Sequence, residues 1–521
     1  MPIVVATPKL PGQRETTRVG RPAIFFAAIR CQSNHEISHT MAIDLSKPLA
    51  WTKATAQQQQ MLQALQGNIL KGHGRPETVN IFFKLDPAKA LASRRALREM
   101  ANFHITSAHQ QLQETAAFQA AGHAGSTFIS AYLSFTGYQA IDRQAAAPKG
   151  EPTFTKGMKH ADSLAAVGDT AVTGWESDFQ KQIDGMVLIA DMTRNQVRLK
   201  RDVIAELLKG CGATIVHEQR GSAIMDKANN GIEHFGYVDG RSQPLLLQED
   251  IDRESANAGI SRWDPGFGLG AALVAESAAP DGVDFGSYFI FRKLEQNVRG
   301  FKRREQELAT KLKLKTAESR ELAGAFVVGR FEDGTPVTLS DEARGQNPPN
   351  DFNYDGDAGS RCPFQAHVRK VNPRGSGPGG AVDERTRIMP RRGIPFEDEM
   401  RAMHPSDLEG SNSLTQFDEE VAKHLPTGKV GLLFMAYNAS LSRQFVFTQA
   451  SWANAAGFPT GGSGVDPIIG ELPSTATQSP PWHEQWDDPA STTHGFDFHG
   501  FVKMRGGEYF FAPSLNFFKN L

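Results

Sequence analysis

The sequence predicts an α+β protein built from two ferredoxin-like domains with antiparallel sheets. Three observations carry this expectation. Short apolar runs rich in strand formers alternate with amphipathic stretches of helical period. In the first half they follow the order strand, helix, strand, strand, helix, strand, which is the split β-α-β arrangement. At 521 residues the chain is also too long for one ordinary core, and its second half repeats the theme.

Taken in order, "RETTRVGRPAIFFAAIRC" (Arg14 to Cys31) combines basic residues with a short apolar run ended by Arg30. A secretory leader wants a longer uninterrupted run and a small-residue cleavage site. Residues 1–56 are therefore read as a disordered N-terminal extension, with Met41 as a conceivable functional start. The first domain is expected over 57–285. "VNIFFKL" (Val79 to Leu85) reads as a strand and "ALASRRALREMANFHI" (Ala90 to Ile105) as a helix. "STFISAYLSF" (Ser126 to Phe135) and "DGMVLIADM" (Asp184 to Met192) are the middle strands. A helix over "NQVRLKRDVIAELLKG", closed by Gly210, leads to a fourth strand, "ATIVHEQRG".

The second domain is expected over 286–521. "SYFIFRKLEQN" (Ser287 to Asn297) is strand-like and "FKRREQELATKLKLK" is a charged helix. "RIMPRRGIPF", "GLLFMAYNAS" and "EYFFAP" read as later strands, and "SRQFVFTQASWAN" as a helix. Between them lie long loops dense in Gly, Pro, Asp and Asn, notably "GQNPPNDFNYDGDAGSRCP" and "NPRGSGPGGAVDERTR". Long loops without their own secondary structure inside a compact domain are usually functional. His367 sits between these two.

Hydrophobic content of 40% and charged content of 22% describe a soluble globular chain. Lys+Arg 56 against Asp+Glu 58 leaves a net charge of −2, so nothing calls for nucleic acid or an anionic membrane as partner. No apolar run is long enough to span a bilayer. Cys31, Cys211 and Cys362 form no disulfide framework, and a reducing, cytoplasmic compartment is expected.

Two stretches carry chemistry. In "HFGYVDGRSQP" (His234 to Pro244), Gly236 and Gly240 bracket Asp239, which suggests a tight turn presenting one carboxylate beside a close-approaching backbone. Taken alone, an Asp-Gly turn is more often a carboxylate capping its own backbone. In "RCPFQAHVRKVNPR" (Arg361 to Arg374) one histidine stands among four Lys/Arg residues and two prolines.

Together these stretches resemble the dye-decolourising peroxidases. "FGYVDGRSQP" fits their G-x-x-D-G signature, "RCPFQAHVRKVNPR" resembles the segment bearing their proximal haem histidine, and "IMPRRGIPF" their distal-arginine segment. "LQGNILKGHGR", "GRFEDGTPV", "SRQFVFTQASW" and "MRGGEYFFAPSL" are also similar to family landmarks, in the family's order, over roughly Gln57 to Leu521. The resemblance is to the longer microbial and fungal members.

The resemblance implies a haem peroxidase that reduces hydrogen peroxide and oxidises bulky organic reductants such as dyes and phenols. One haem b per chain would sit in the C-terminal domain. It would be held non-covalently, since the C-x-x-C-H attachment motif is absent. His367 would be the iron ligand, because a haem peroxidase wants a neutral imidazole on one face and the other open for peroxide. The motif offers Arg369, Lys370 and Arg374 to the haem propionates, with Arg374 or Arg369 favoured by the resemblance, as guanidinium pairs well with carboxylate. Asp239 would shuttle the peroxide proton and Arg391 would supply fixed positive charge. Arg392 is the neighbouring alternative, and the "RRGIPF" pattern favours Arg391. His234 is read as structural.

Two departures from the family pattern stand out. Arg241 replaces an apolar residue of the usual "G-x-S-Q-P". Ser440 stands where relatives often carry an acid accepting the proximal imidazole N–H, so the push on the iron should weaken unless Asp418, Glu419 or another group substitutes. Homo-oligomerisation is compatible with the resemblance.

A haem-binding or haem-handling protein with weak turnover is the competing reading. A metal-dependent hydrolase using His494 and His499 is the third, and it lacks any H-E-x-x-H or Cys-pair pattern. Tyr237, Tyr288, Tyr354, Tyr437 and Trp452 are candidates for carrying electrons to the surface, with ordinary core packing the favoured reading for each.

Overall fold

The computed structural model describes residues 43–276, 282–345, 348–399, 423–473 and 476–521. Its centre is an antiparallel sheet of nine strands. Eight of them make one continuous path, and the short pair Val274–Ala275 joins it from the side.

The first half supplies β1 (Glu77–Lys84), β2 (Phe128–Leu133), β3 (Gly185–Asp191) and β4 (Thr214–Ser222), in the spatial order β4-β1-β3-β2. Helices α1 (Ala56–Ala64), α2 (Ala90–Phe103), α3 (Ala108–Ala121) and α4 (Arg194–Gly210) accompany these strands. Thr193 starts α4 by accepting the Gln196 N–H at 3.3 Å, the expected N-cap chemistry. The second half supplies β5 (Phe285–Gln296), β6 (Ile394–Glu397), β7 (Val430–Asn438) and β8 (Val502–Ala512), in the order β8-β5-β7-β6.

Both halves thus have the ferredoxin-like order, fourth-first-third-second. They join edge to edge where Phe511 of β8 pairs with Leu133 of β2. Every residue of β2 and β3 is buried, so these strands read as continuous apolar runs and not as alternation.

The path also curls until its outer strands touch. Gly221 of β4 lies so close to β6 that a Cβ there would sit 2.7 Å from Ile394 Cγ2 and 3.2 Å from the Pro395 carbonyl oxygen. The Gln219 amide, also on β4, donates to Asp398 Oδ1 at 3.1 Å.

Two apolar cores result. The larger fills the sheet and its helices. The smaller lies beneath α5 (Val298–Lys311) and α6 (Ala317–Val328), and holds Ala366 at the entry to the five-residue helix α7 (His367–Val371). Phe235 and Tyr237, from the loop that follows the first half, belong to this second core. The Phe235 ring stacks on Phe301 of α5 with centroids 3.9 Å apart. The Asp239 loop is therefore rooted in the half that carries His367.

Residues 43–56 depart from the expected disordered extension. They belong to the folded body: Leu49 is buried and pairs with Leu247, and Trp51–Lys53 forms a helical turn. Apolar contact outweighs the polar local composition here. Residues 1–42 lie outside the described residues. Two more expectations shift. The strand read over "RIMPRRGIPF" starts only at Ile394, with Arg391 in an isolated bridge to Ala436. The helix read over "SRQFVFTQASWAN" is wound as π-type turns at Ser442–Val446 and Thr448–Ala453, a geometry common near functional sites. Among the described residues no helix is long and apolar enough to cross a membrane.

The contact between the outer strands yields a first prediction. Gly221→Ala pushes Cβ against Ile394 and Thr78, neither of which can swing away. It should destabilise the protein by about 1–3 kcal/mol, as expected for overpacking, measured by chemical denaturation against wild type.

Candidate active site

A cavity of about 580 Å³ opens between α7, the Asp239 loop and the segment before β6, within the range of about 300–1,000 Å³ typical of small-molecule sites. Its walls are largely apolar, with Val368, Val371, Leu432, Phe434 and Ile468 among them. His367, Asp239 and Arg391 all line it.

His367 begins α7. Its Nδ1 lies 2.8 Å from Asp466 Oδ2, and the Asp466 side chain is wholly buried. The other Asp466 oxygen accepts the backbone N–H groups of Ile468 and Ile469 at 2.8 and 3.0 Å. Burial alone would raise the Asp466 carboxyl. The His367 interaction and the two amides outweigh it and hold the group below its ordinary range. An ionised carboxylate can only accept, so Nδ1 carries the proton and donates. Nε2 is the nitrogen left for a metal.

This corrects the expectation at Ser440. Ser440 Oγ donates to Glu151 at 2.8 Å, at the turn that ends β7, and has no part in the histidine's environment. Asp418 and Glu419 lie outside the described residues. The acid is Asp466, delivered by the loop beyond the π-type turns.

On the other wall, Gly236 and Gly240 adopt φ of 100° and 79°, the left-handed region that favours glycine, so the turn read from sequence is present. Asp239 is exposed, and its Oδ1 accepts the Gly240 N–H at 2.6 Å. Three anchors hold this loop. Tyr237 Oη donates to the buried Glu305 carboxylate at 2.5 Å, the Val238 N–H bonds the Glu332 carbonyl at 3.0 Å, and Glu233 gathers the N–H groups of Phe235 and Tyr237 at 2.8 and 3.1 Å. The Gln296 amide of β5 also donates to Glu233, at 2.5 Å. Burial pushes the Glu233 carboxyl up to about 7, against those hydrogen bonds, and Asp239 adds to the rise.

Arg391 is gripped by the same loop. Its N–H donates to Gln243 Oε1 at 2.9 Å and its guanidinium to the Arg241 carbonyl at 3.1 Å. Because Arg241 contributes a backbone oxygen, its unusual side chain leaves the grip intact; that side chain reaches the Pro348 carbonyl at 2.7 Å. Burial lowers the Arg391 guanidinium from its ordinary value, and the Asp239 carboxylate offsets part of this. Arg392 also lines the cavity, and its guanidinium is spent on the carbonyls of Asn68 and Ile69.

The expected cationic cradle is arranged differently from the sequence reading. Arg369 does not line the cavity. It is buried against Asp357 at 3.0 Å and the Cys362 carbonyl at 2.6 Å, under the rings of Phe364 and Tyr354. Its charge is satisfied inside the fold, and Lys370, the third cation offered by the motif, is likewise buried with its ammonium spent on the carbonyls of Ala455, Phe458 and Gly464. Arg374 stands one layer behind the wall, stacked between Trp263 and Phe352, and donates to Ser242 Oγ at 2.6 Å. Arg330, which sequence reasoning missed, does line the cavity and donates to the same Ser242 Oγ at 2.9 Å and to Asn350 Oδ1 at 2.8 Å.

Both guanidiniums meet only neutral acceptors. Burial, with Arg241 and Arg391 nearby, pushes Arg330 down to about 10, and burial with Arg330 nearby pushes Arg374 down to about 9. Arg374 Nε is buried without a partner. This end of the cavity carries cationic charge that an anionic ligand group would relieve. An apolar slot, a proton-locked imidazole and an uncompensated arginine pair together fit haem.

His234 is buried, with Nε2 2.9 Å from the Phe396 carbonyl oxygen. Tyr237, Tyr288, Tyr354, Tyr437 and Trp452 are all buried. His494 and His499 bond Glu484 and Asp497, and no group of three or more metal-ligating side chains is found among the described residues.

A multifunctional dye peroxidase from Amycolatopsis sp. is 43% identical to this chain over 499 residues, covering 92% of this chain and all of the relative. The chain belongs to the dye-decolourising peroxidase family. It is a haem-dependent peroxidase. Peroxidase 2 of Mycetinis scorodonius is 31% identical over 88% of this chain and 87% of its own. Among solved structures, the Amycolatopsis enzyme superposes with a TM-score of 0.83 at 39% identity, covering 92% of this chain and 100% of that one. A dye-decolourising-type peroxidase of Anabaena sp. gives 0.78 at 35%, covering 88% and 94%. No family model matches the chain.

The raised Glu233 carboxyl has a stability consequence. Its ordinary value is 4.5 and its folded value about 7, so between those pH values the folded state binds a proton the unfolded state has lost. Stability from this group is full below about 4.5, falls as pH rises, and levels off above about 7. Glu233→Gln removes that slope. The stability of the variant relative to wild type should therefore improve between pH 5 and 7.5 by about 1–3 kcal/mol, measured by denaturation at each pH.

Proposed function

We propose that one non-covalent b-type haem occupies this cavity with His367 Nε2 as iron ligand. On this reading the enzyme reduces hydrogen peroxide and oxidises bulky organic reductants, dyes and phenols. The observation that carries it is the convergence of a carboxylate-locked histidine, Asp239 and Arg391 on one cavity. A neighbouring family structure, 26% identical to this chain, was solved in complex with 2,6-dimethoxyphenol, which supports a phenolic reductant.

Bound haem supplies the redox centre that accepts two oxidising equivalents from peroxide and passes them on to the reductant. The chain does the rest. Asp466 keeps the proton on Nδ1 and feeds electron density into the ring, which strengthens the imidazole as a donor. Asp239, exposed at the cavity wall and turned by two glycines, takes the proton from one peroxide oxygen and returns it to the other, so that the leaving group departs as water. Arg391 holds its charge at any working pH and steadies the negative charge that develops as the O–O bond breaks. Arg330, backed by Arg374 through Ser242, would meet the propionates. The apolar walls keep bulk water away.

Three variants test these roles. His367→Ala should purify largely without haem; full occupancy with an unchanged Soret band would place the ligand elsewhere. Arg391→Leu should slow the stopped-flow reaction with peroxide by roughly 10²–10³-fold at every pH. Asp239→Asn should slow the same step by roughly 10²–10⁴-fold and abolish the acid limb of its pH profile. Wild-type rates in both variants at all pH values would remove Asp239 and Arg391 from the reaction, and a wild-type protein whose haem spectrum ignores peroxide would leave only a haem-binding role.

A further inference from the structure

Helix α7 carries a second side chain that the proposed mechanism leaves unused. Lys370 lies one helical turn beyond His367 and is fully buried. Its ammonium donates to the carbonyl oxygens of Ala455, Phe458 and Gly464 at 2.9, 2.7 and 2.6 Å. An ammonium has three donors, and all three are spent on one loop. That loop runs from the π-type turns to Asp466, and Gly464 stands two residues before it.

The hydrogen bonds that tie α7 to this loop, among the described residues, are these three and the one from His367 to Asp466. Elsewhere the loop bonds itself and Gln478, whose Oε1 accepts the Val465 N–H at 2.8 Å. The Asp466 N–H bonds the Ala453 carbonyl at 2.8 Å and the Gly464 N–H bonds that of Ala456 at 3.0 Å. These bonds set its internal shape but not its distance from α7. Lys370 supplies that distance from the same five-residue helix that presents the imidazole.

We propose that Lys370 is a positioning residue for the proximal hydrogen bond: it clamps the 455–464 loop to α7 and so fixes Asp466 against His367 Nδ1. The proposal rests on the reading of His367 as the iron ligand. A carboxylate hydrogen-bonded to a metal-bound imidazole raises the donor strength of that ligand. Lys370 thereby sets the electronic character of the iron site without touching it. The physical cause is geometric. Three carbonyl dipoles converge on one buried cation, and removing the cation leaves three acceptors unsatisfied, so the loop must shift to find other donors. Asp466 moves with it.

The test uses full-length, haem-loaded protein in four forms: wild type, Lys370→Met, Asp466→Asn and the double variant. Two quantities are read, the Fe(III)/Fe(II) midpoint potential and the iron–imidazole stretching frequency of the ferrous state. Asp466→Asn should raise the potential and lower the frequency, because the imidazole loses anionic character. Lys370→Met should shift both in the same directions and by less, and should add nothing in the Asp466→Asn background. Wild-type values in Lys370→Met, or an undiminished Lys370→Met shift in the double variant, would overturn the proposal and leave Lys370 as a packing element. Unchanged values in Asp466→Asn would instead overturn the proximal reading on which the proposal stands. If Lys370→Met fails to hold haem, Lys370→Gln, which keeps an amide donor, is read by the same criteria.

Discussion

A carboxylate with no exposure to water is expensive unless donors surround it, and Asp466 is such a group. Its two oxygens receive three N–H donors: the His367 ring and two backbone amides. That arrangement constrains everything near it. The imidazole tautomer follows from the carboxylate's charge, and the hydrogen bond fixes the ring that lines the cavity. The π-type turns and the glycine-bearing loop make sense as the route by which the chain brings the acid to the histidine.

The opposite wall obeys a different logic. It belongs by sequence to the first half of the molecule yet is fastened to the second. Phe235 stacks on Phe301, Tyr237 bonds Glu305, and Glu233 takes the amide of Gln296. The loop that presents Asp239 cannot drift relative to α5 or β5, even though Asp239 itself is exposed. Rigid backbone under a reachable carboxylate suits a proton carrier, which must keep its position and still exchange protons with solvent. Arg391 is held by that same loop through Gln243 and the Arg241 carbonyl, so Asp239 and Arg391 share one support.

Much of this was legible in the sequence, and what was not has physical causes. Strands β1, β2, β3 and β7 were readable because their runs are largely apolar and bounded by polar or turn residues, whereas β6 was read too early because the segment before it shares its apolar residues. Helix α6 escaped notice because its C-terminal half, Leu322 to Val327, is buried all round and so shows no stripe, and α3 because its glutamines and alanines give little contrast. Asp239, Arg391 and His367 were marked by local motifs. Asp466 has no such mark: its role depends on a partner far away in the chain, and Ser440 was the nearer but wrong position to search. Arg369 misled because charge in a motif says nothing of where the charge is spent; Asp357, which satisfies it, lies upstream in a loop of irregular structure. Arg330 lay within a recognised landmark, but only the fold turns it toward the cavity.

The touching outer strands have a consequence for how the chain reaches its native state. In the finished molecule β4 and β6 lie against one another, and β2 is met by β8 at Phe511 and Leu133, which hinders the approach of a second molecule to these edges. A chain in which only one half has formed enjoys no such protection, since β2 or β8 then stands as a bare margin of apolar strand. Aggregation during synthesis or refolding should therefore be governed by the lifetime of the half-folded chain, and be relieved by whatever hastens the meeting of β2 with β8.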